Sequence, residues 1–224
     1  MTAPFTFLAD AFDVSSAREL GERARAAEDL GVTTFVLPDH LLAQPAPVAY
    51  LATVAALTER IRISAFVHNN DLRHPAVLAQ ELATLDILSE GRLDVAIGAG
   101  WNESEYAAIG LAFDPTRVRQ ARLAEAVTVI KGCFGTGSFS FAGEHYTITD
   151  YDAQPKPVQQ PHPPFFIGAA AGPPWSWPRA RRRPSAWRRG SCAAAAPTPG
   201  RSPGRQPRRR SAGSGRQPVS GSTR

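Results

Sequence analysis

The sequence predicts an α/β fold built on a parallel sheet, and three observations carry that prediction. Short apolar runs recur along residues 1–172, and each ends in small or polar residues, as strands covered on both faces do. Segments with helical apolar spacing stand between those runs. Several of these segments also carry recognisable start and stop residues.

The elements follow in order. A first strand, Phe5–Ala9, runs into Asp10. Ser16 then stands three residues before Glu19, the spacing of a capping box, and Ala17, Leu20, Ala24, Ala27 and Leu30 make one apolar stripe that Gly31 ends. The second strand, Thr34–Leu37, leads to Asp39 and His40, and the third, Ile61–His68, leads to Asn69 and Asn70. Pro75 opens a helix where its missing N–H costs nothing, and that helix runs through Val77, Leu78, Leu82 and Leu85 to Gly91 as the stop. A fourth strand, Leu93–Gly98, continues into Ala99, Gly100, Trp101 and Asn102. Next comes a longer helix, roughly Val118 to Phe134, with Leu123, Val127 and Ile130 inward. Phe139–Ile148, turning at Gly143, reads as a small hairpin inserted before the fifth strand, Phe165–Gly168. Repeated β-then-α units fit either a doubly wound sheet or a closed barrel, and spacing does not choose between them.

Composition divides the chain at Gly172. Every one of the 20 acidic residues precedes it, with 12 of the 25 basic ones, so that part carries a formal charge of −8. Residues 173–224 hold 13 Arg and no Lys, Asp, Glu, Leu, Ile, Phe or Met, so the net charge of +5 is set by this tail. An apolar content of 43% is enough for a sizeable core. Cys133 and Cys192 make neither a metal cluster nor a disulfide framework. No signal peptide and no apolar run approaching about 18 residues is seen, which leads us to expect a cytoplasmic chain with no membrane partner.

In a parallel α/β fold the strand ends share one edge, where such folds place their sites. Here that edge collects Asp10, Asp39, His40, His68, Asn69, Asn70 and the Gly98–Asn102 loop. A polar pocket explains acid, imidazole, amide and indole together better than separate helix caps at Asp39 and Asn102. Gly98-Ala-Gly100 lacks the third glycine of a dinucleotide fingerprint. Gly168-Ala-Ala-Ala-Gly172 is small enough for its backbone N–H groups to approach a phosphate, or is a simple tight turn. His68, Asp71 and His74 could be drawn as a metal trio, but Pro75 directly after His74 favours a cap or loop role, and no metal is expected. His145 and His162 fall in loops without evident partners.

Together, VLPDHL (Val36–Leu41), NNDLRHPAVLAQELATLDILSEGRL (Asn69–Leu93), IGAGWNESEY (Ile97–Tyr106) and PKPVQQPHPPFFIGA (Pro155–Ala169) resemble the bacterial-luciferase-like superfamily. The likeness is greatest to its actinobacterial oxidoreductases that use the deazaflavin coenzyme F420. The resemblance covers residues 1–172 and implies a (β/α)8 barrel of TIM type, here truncated after about five strands. It implies an enzyme that transfers hydride between F420, or alternatively FMN, and a small organic substrate, as an oxidoreductase or monooxygenase. By resemblance, Asp39 and His40 serve the site as an acid–imidazole pair. Phe66 and Val67 match the place of a non-prolyl cis peptide behind the ring, with His68 and Asn69 beside it. Gly98, Ala99, Gly100, Trp101 and Asn102 line the cofactor, and Gly168, Ala169 and Ala170 resemble part of its phosphate loop. Some F420-using relatives carry a carboxylate where this chain has Trp101, which keeps FMN open. Relatives often form homodimers. A histidine can exchange a proton with the substrate near neutral pH while the cofactor carries the redox step.

After Gly172 the resemblance calls for an apolar helix and another strand. The tail instead has the Arg/Pro/Gly/Ser/Ala/Trp text that GC-rich coding DNA gives when read out of register. Codons for Pro173–Pro178, read from the third base, yield a small residue, then Leu/Val/Met, Val, Leu/Val/Met and Ala. We therefore expect a frameshift near Ala170–Pro174, a disordered tail over 173–224, and impaired activity. The competing reading is a non-enzymatic protein whose Arg-rich arm binds nucleic acid.

Overall fold

The computed structural model describes residues 6–41 and 44–168. Phe5, Ala169, Ala170 and the tail 173–224, with its expected disorder, lie outside the described residues. Five parallel strand positions alternate with helices: β1 (Leu8–Ala9), α1 (Ala17–Asp29), β2 (Thr34–Leu37), α2 (Pro47–Leu57), β3 (Arg62–Ala65), β4 (His68–Asn69), α3 (Pro75–Leu88), β5 (Val95–Gly98), α4 (Glu103–Ala108) and α5 (Thr116–Phe134). An antiparallel hairpin of β6 (Phe139–Ala142) and β7 (Thr147–Tyr151) follows, and then β8 (Phe165–Gly168).

Strand order resolves what spacing left open. β1, β2 and β3 pair in parallel, with Leu8 opposite Thr34 and Thr34 opposite Arg62. β4, β5 and β8 do the same, with His68 opposite Ile97 and Val95 opposite Phe165. A bridge from Ile63 to Leu93 joins the two triplets. β3 and β4 are therefore one strand position interrupted at Phe66–Val67, and each parallel strand lies beside the one before it. A doubly wound sheet reverses its order at a switch point. The described strands show no reversal and run in the order of a barrel wall.

The third strand departs from its predicted span: Ile61–His68 is divided into two short ladders, β3 and β4, on either side of the cis Phe66–Val67 peptide. β2 and β8 match their predicted bounds. Two residues of the predicted α1 stripe are exposed, Ala17 and, at 84%, Leu30. Leu30 is the C-cap of α1 rather than part of its stripe, and Gly21 takes the buried place between Leu20 and Ala24. The capping box is also modified: Ser16 Oγ accepts from Glu19 N–H, but the Glu19 carboxylate accepts from Ser15 rather than from Ser16. Sequence reasoning did not single out α2. Its segment PVAYLATVAAL is apolar nearly all round, so no stripe marks it as a helix.

The core lies between the sheet and the helices. Phe35, Leu37, Leu51, Ile63, Leu78, Leu82, Leu85, Leu93 and Ile97 are at most 1% exposed, and Leu123, Val127 and Ile130 of α5 join them as predicted. Full burial of one such side chain is worth about 1.5–3 kcal/mol. On the face opposite the site, Arg92 donates to the carbonyls of Ala55, Ile61 and Ser89, tying the end of α2 to the start of β3. The hairpin is fixed to α5 by Glu125, whose carboxylate accepts the N–H groups of Glu144, His145 and Tyr146. Among the described residues no helix is long and apolar enough to cross a membrane.

Candidate functional site

The carboxyl ends of β2, β4 and β5 bring together most of the residues the sequence singled out. Asp39 follows β2 and is 4% exposed. Its Oδ2 accepts from Asn69 N–H (3.1 Å) and from Arg73 Nη1 (2.8 Å), and its Oδ1 accepts from Arg73 Nη2 (3.1 Å). His68, fully buried, faces both, with Nδ1 3.3 Å from Arg73 and 3.5 Å from Asp39. Burial works against a charge on Asp39, yet His68 and Arg73 overcome it and hold its carboxyl below the ordinary range. This ionised carboxylate binds the second strand's end to the end of β4 and to Arg73 beyond it.

His40 turns to a different acid. Its Nδ1 lies 2.9 Å from Oε1 and 3.0 Å from Oε2 of Glu105, with the hydrogen bond to Oε2. Glu105 sits on α4 and its side chain is 2% exposed, while that of His40 is 24% exposed. Trp101 meets the imidazole edge to face, with centroids 5.5 Å apart, and is itself 68% exposed. The two halves of the acid–imidazole expectation are thus neighbours in the chain with separate partners. Glu105 was missed because 65 residues separate it from His40. The available signal was weak: an acid two residues after Glu103 on a short helix, next to a large aromatic.

The loop after β5 is held from behind. Arg119 of α5, 5% exposed, donates to the carbonyls of Ala99 (3.0 Å), Gly100 and Asp114 (2.9 Å), and lies over the Phe113 ring at 4.1 Å. Tyr106 is fully buried, its hydroxyl 3.0 Å from Asn69 Oδ1 and 3.1 Å from Asp71 Oδ2. Burial pushes this phenol up to about 12, so it stays protonated and donates. Arg122 pairs with Asp71 at 2.9 Å and with Asp114. Asn102 makes no side-chain cap on α4, and Asp39 caps no helix, so the capping alternative fails at both.

Gly98 and Gly168 stand opposite each other in the ladder, and Val67 packs over both. A Cβ on Gly98 would come 2.8 Å from Val67 Cγ2, and one on Gly168 would come 2.9 Å from it. The cis Phe66–Val67 segment and these glycines are therefore one packed unit. His74, as expected from Pro75, caps α3 by accepting from Ala76 N–H at 3.2 Å. Among the described residues no cluster could hold a metal ion. His162, expected to be alone, packs edge-on against Phe165.

The family profile described as luciferase-like monooxygenase matches residues 3–183. The chain is 36% identical over 166 residues to an F420-dependent glucose-6-phosphate dehydrogenase of Kineococcus radiotolerans, covering 69% of this chain and 47% of that protein. It is 35% identical over 116 residues to an FMNH(2)-dependent dimethylsulfone monooxygenase of Pseudomonas putida, covering 52% of this chain and 32% of that protein. A monooxygenase structure from Streptomyces bottropensis superposes with a TM-score of 0.65 at 27% identity, over 73% of this chain and 53% of that one. The chain thus spans a third to a half of these proteins' lengths.

Proposed function

Because the chain belongs to the luciferase-like monooxygenase family, we propose that its strand-end site serves hydride transfer between coenzyme F420 and a small organic substrate. FMN is the second reading, favoured by Trp101 standing where some F420-using relatives carry a carboxylate. The observation that carries the proposal is the convergence of His40, the cis Phe66–Val67 segment and the Gly98–Asn102 loop on one edge of a parallel sheet. A flat ring suits the residues present. Trp101 offers an exposed aromatic face beside His40, and Gly98 and Gly168 add no side chain to the Val67 surface. The proposed phosphate contacts at Ala169 and Ala170 continue directly from Gly168.

Bound F420 or FMN would supply the two-electron carrier. The chain's own residues supply the rest. Asp39, Arg73 and Asn69 fix the geometry of the strand ends, Arg119 fixes the backbone of the cofactor loop, and His40 exchanges a proton with the substrate atom next to the one that gains or loses the hydride. Titration with F420 and with FMN, followed by cofactor fluorescence, tests the reading. We expect saturable binding of one of them, weakened by Trp101→Ala. No binding of either, with salt-steep binding of RNA, would favour the nucleic-acid alternative.

We further propose that residues 1–172 are the enzymatic part, that residues 173–224 arose from a shifted frame, and that the chain as written is impaired. Restoring the frame near codons 170–174 should then raise cofactor affinity. Equal affinity before and after repair would speak against this.

A further inference from the structure

Glu105 is a buried carboxylate with one cationic or imidazole partner within ion-pair distance among the described residues, and that partner is His40. Its Oε1 has no hydrogen-bond partner there. Burying a carboxylate is costly unless it is paired and hydrogen-bonded, and here His40 is that partner. The position is also not adjustable. The next residue, Tyr106, anchors α4 through its hydroxyl to Asn69 and Asp71 and packs edge-on against Phe113 at 4.9 Å. Glu105 is therefore presented to His40 by a helix that is fixed independently of His40.

The other charged groups around the imidazole are committed elsewhere. Asp39, next to it in the chain, is taken by Arg73 and His68. Arg119, behind the loop that carries Trp101, is spent on backbone carbonyls. Glu103, on the same short helix, is exposed and makes no ion pair with a described residue.

We infer that Glu105 is a positioning residue that fixes which nitrogen of His40 carries the proton. An ionised carboxylate only accepts, so Nδ1 must donate to it. The neutral ring then holds its proton on Nδ1 and keeps the Nε2 lone pair for exchange, since the bond made by one nitrogen sets the state of the other. Trp101, edge to face with the ring, restricts its rotation. The importance of Nε2 rests on the proton role proposed above for His40, but the tautomer itself does not.

The test is ring ¹⁵N NMR of the full chain, ¹⁵N-labelled at histidine, above the usual imidazole titration range. Loss of one of the five pairs of ring signals in His40→Gln assigns the residue. The native chain should show a pyrrole-type Nδ1 and a pyridine-type Nε2. Glu105→Gln, whose amide oxygen can still accept, should keep that pattern. Glu105→Ala should lose it and revert to the Nε2–H tautomer that a free histidine prefers. A pyridine-type Nδ1 in the native chain would overturn the inference outright, because the carboxyl would then be the donor. An unchanged pattern in Glu105→Ala would also overturn it. Cofactor titration, run separately, reports on the proposed function, so either idea can fail while the other stands.

Discussion

At Gly100 an added methyl would meet two obstacles. The residue has φ of +74°, and its Cβ would fall on the Tyr106 hydroxyl and 2.8 Å from Asn69 Oδ1. Gly31 has φ of +77° with nothing within 4 Å of the same atom, so it carries only the backbone penalty. That penalty is about 1–2 kcal/mol, and forced overpacking adds about 1–3 kcal/mol. Gly100→Ala should therefore lower the urea unfolding free energy by about 3 kcal/mol and Gly31→Ala by about 1 kcal/mol. Equal losses would show that the Tyr106 contact is relaxed at no cost. Asp39 makes a pH-dependent prediction. Its carboxyl lies below the ordinary range when folded, burial being outweighed by His68 and Arg73. A group of this kind adds stability that is in place above its unfolded value, about 3.9, and is lost as pH falls through its folded value. Removing one partner of a buried pair costs about 3–5 kcal/mol. Asp39→Asn should show a loss of that order at neutral pH, shrinking below about pH 4. A loss independent of pH would contradict the assignment.

Among the elements, the hairpin has its turn tied to α5 by one carboxylate, while Ile148 packs in the core and Tyr146 meets Asn70 and His74. Glu125 accepts three consecutive N–H groups of its turn, and these bonds pull the carboxyl below its usual range against the opposing effect of burial. Glu125→Ala should expose the amides of Glu144, His145 and Tyr146 to faster hydrogen exchange and cost about 2 kcal/mol, with α3 amides unaffected. Uniform acceleration would mean that the hairpin opens only with the whole structure. The elements also show what the sequence made legible. β2 and β8 were found to the residue because three consecutive apolar residues bounded by Pro38 in one and Pro164 in the other admit few other readings. α2 was not, because a helix apolar on every side has no periodicity to read. His74 and Pro75 were legible as a helix start, since capping is local. The His40–Glu105 pair was not, since it joins the segment after β2 to α4 across 65 residues, which no local pattern encodes.

For the whole molecule, the outer strands decide solution behaviour. Among the described residues β1 and β8 each pair with one strand. Near them Phe7 is 62% exposed, Leu8 38% and Ile167 36%. Unpaired strand flanks with apolar side chains invite association between copies. Sedimentation velocity should show concentration-dependent self-association, reduced by Phe7→Lys or Ile167→Lys. A single concentration-independent species would show that those flanks are otherwise protected. The strand order has one more consequence. Each parallel strand is laid against the one translated just before it, so no early segment must wait for a distant later one to complete its pairing. A ribosome releasing the chain from its first residue would thus deliver the pieces in the order in which they dock. Assembly could keep pace with synthesis, and the wall would be extended rather than rearranged as each unit emerged.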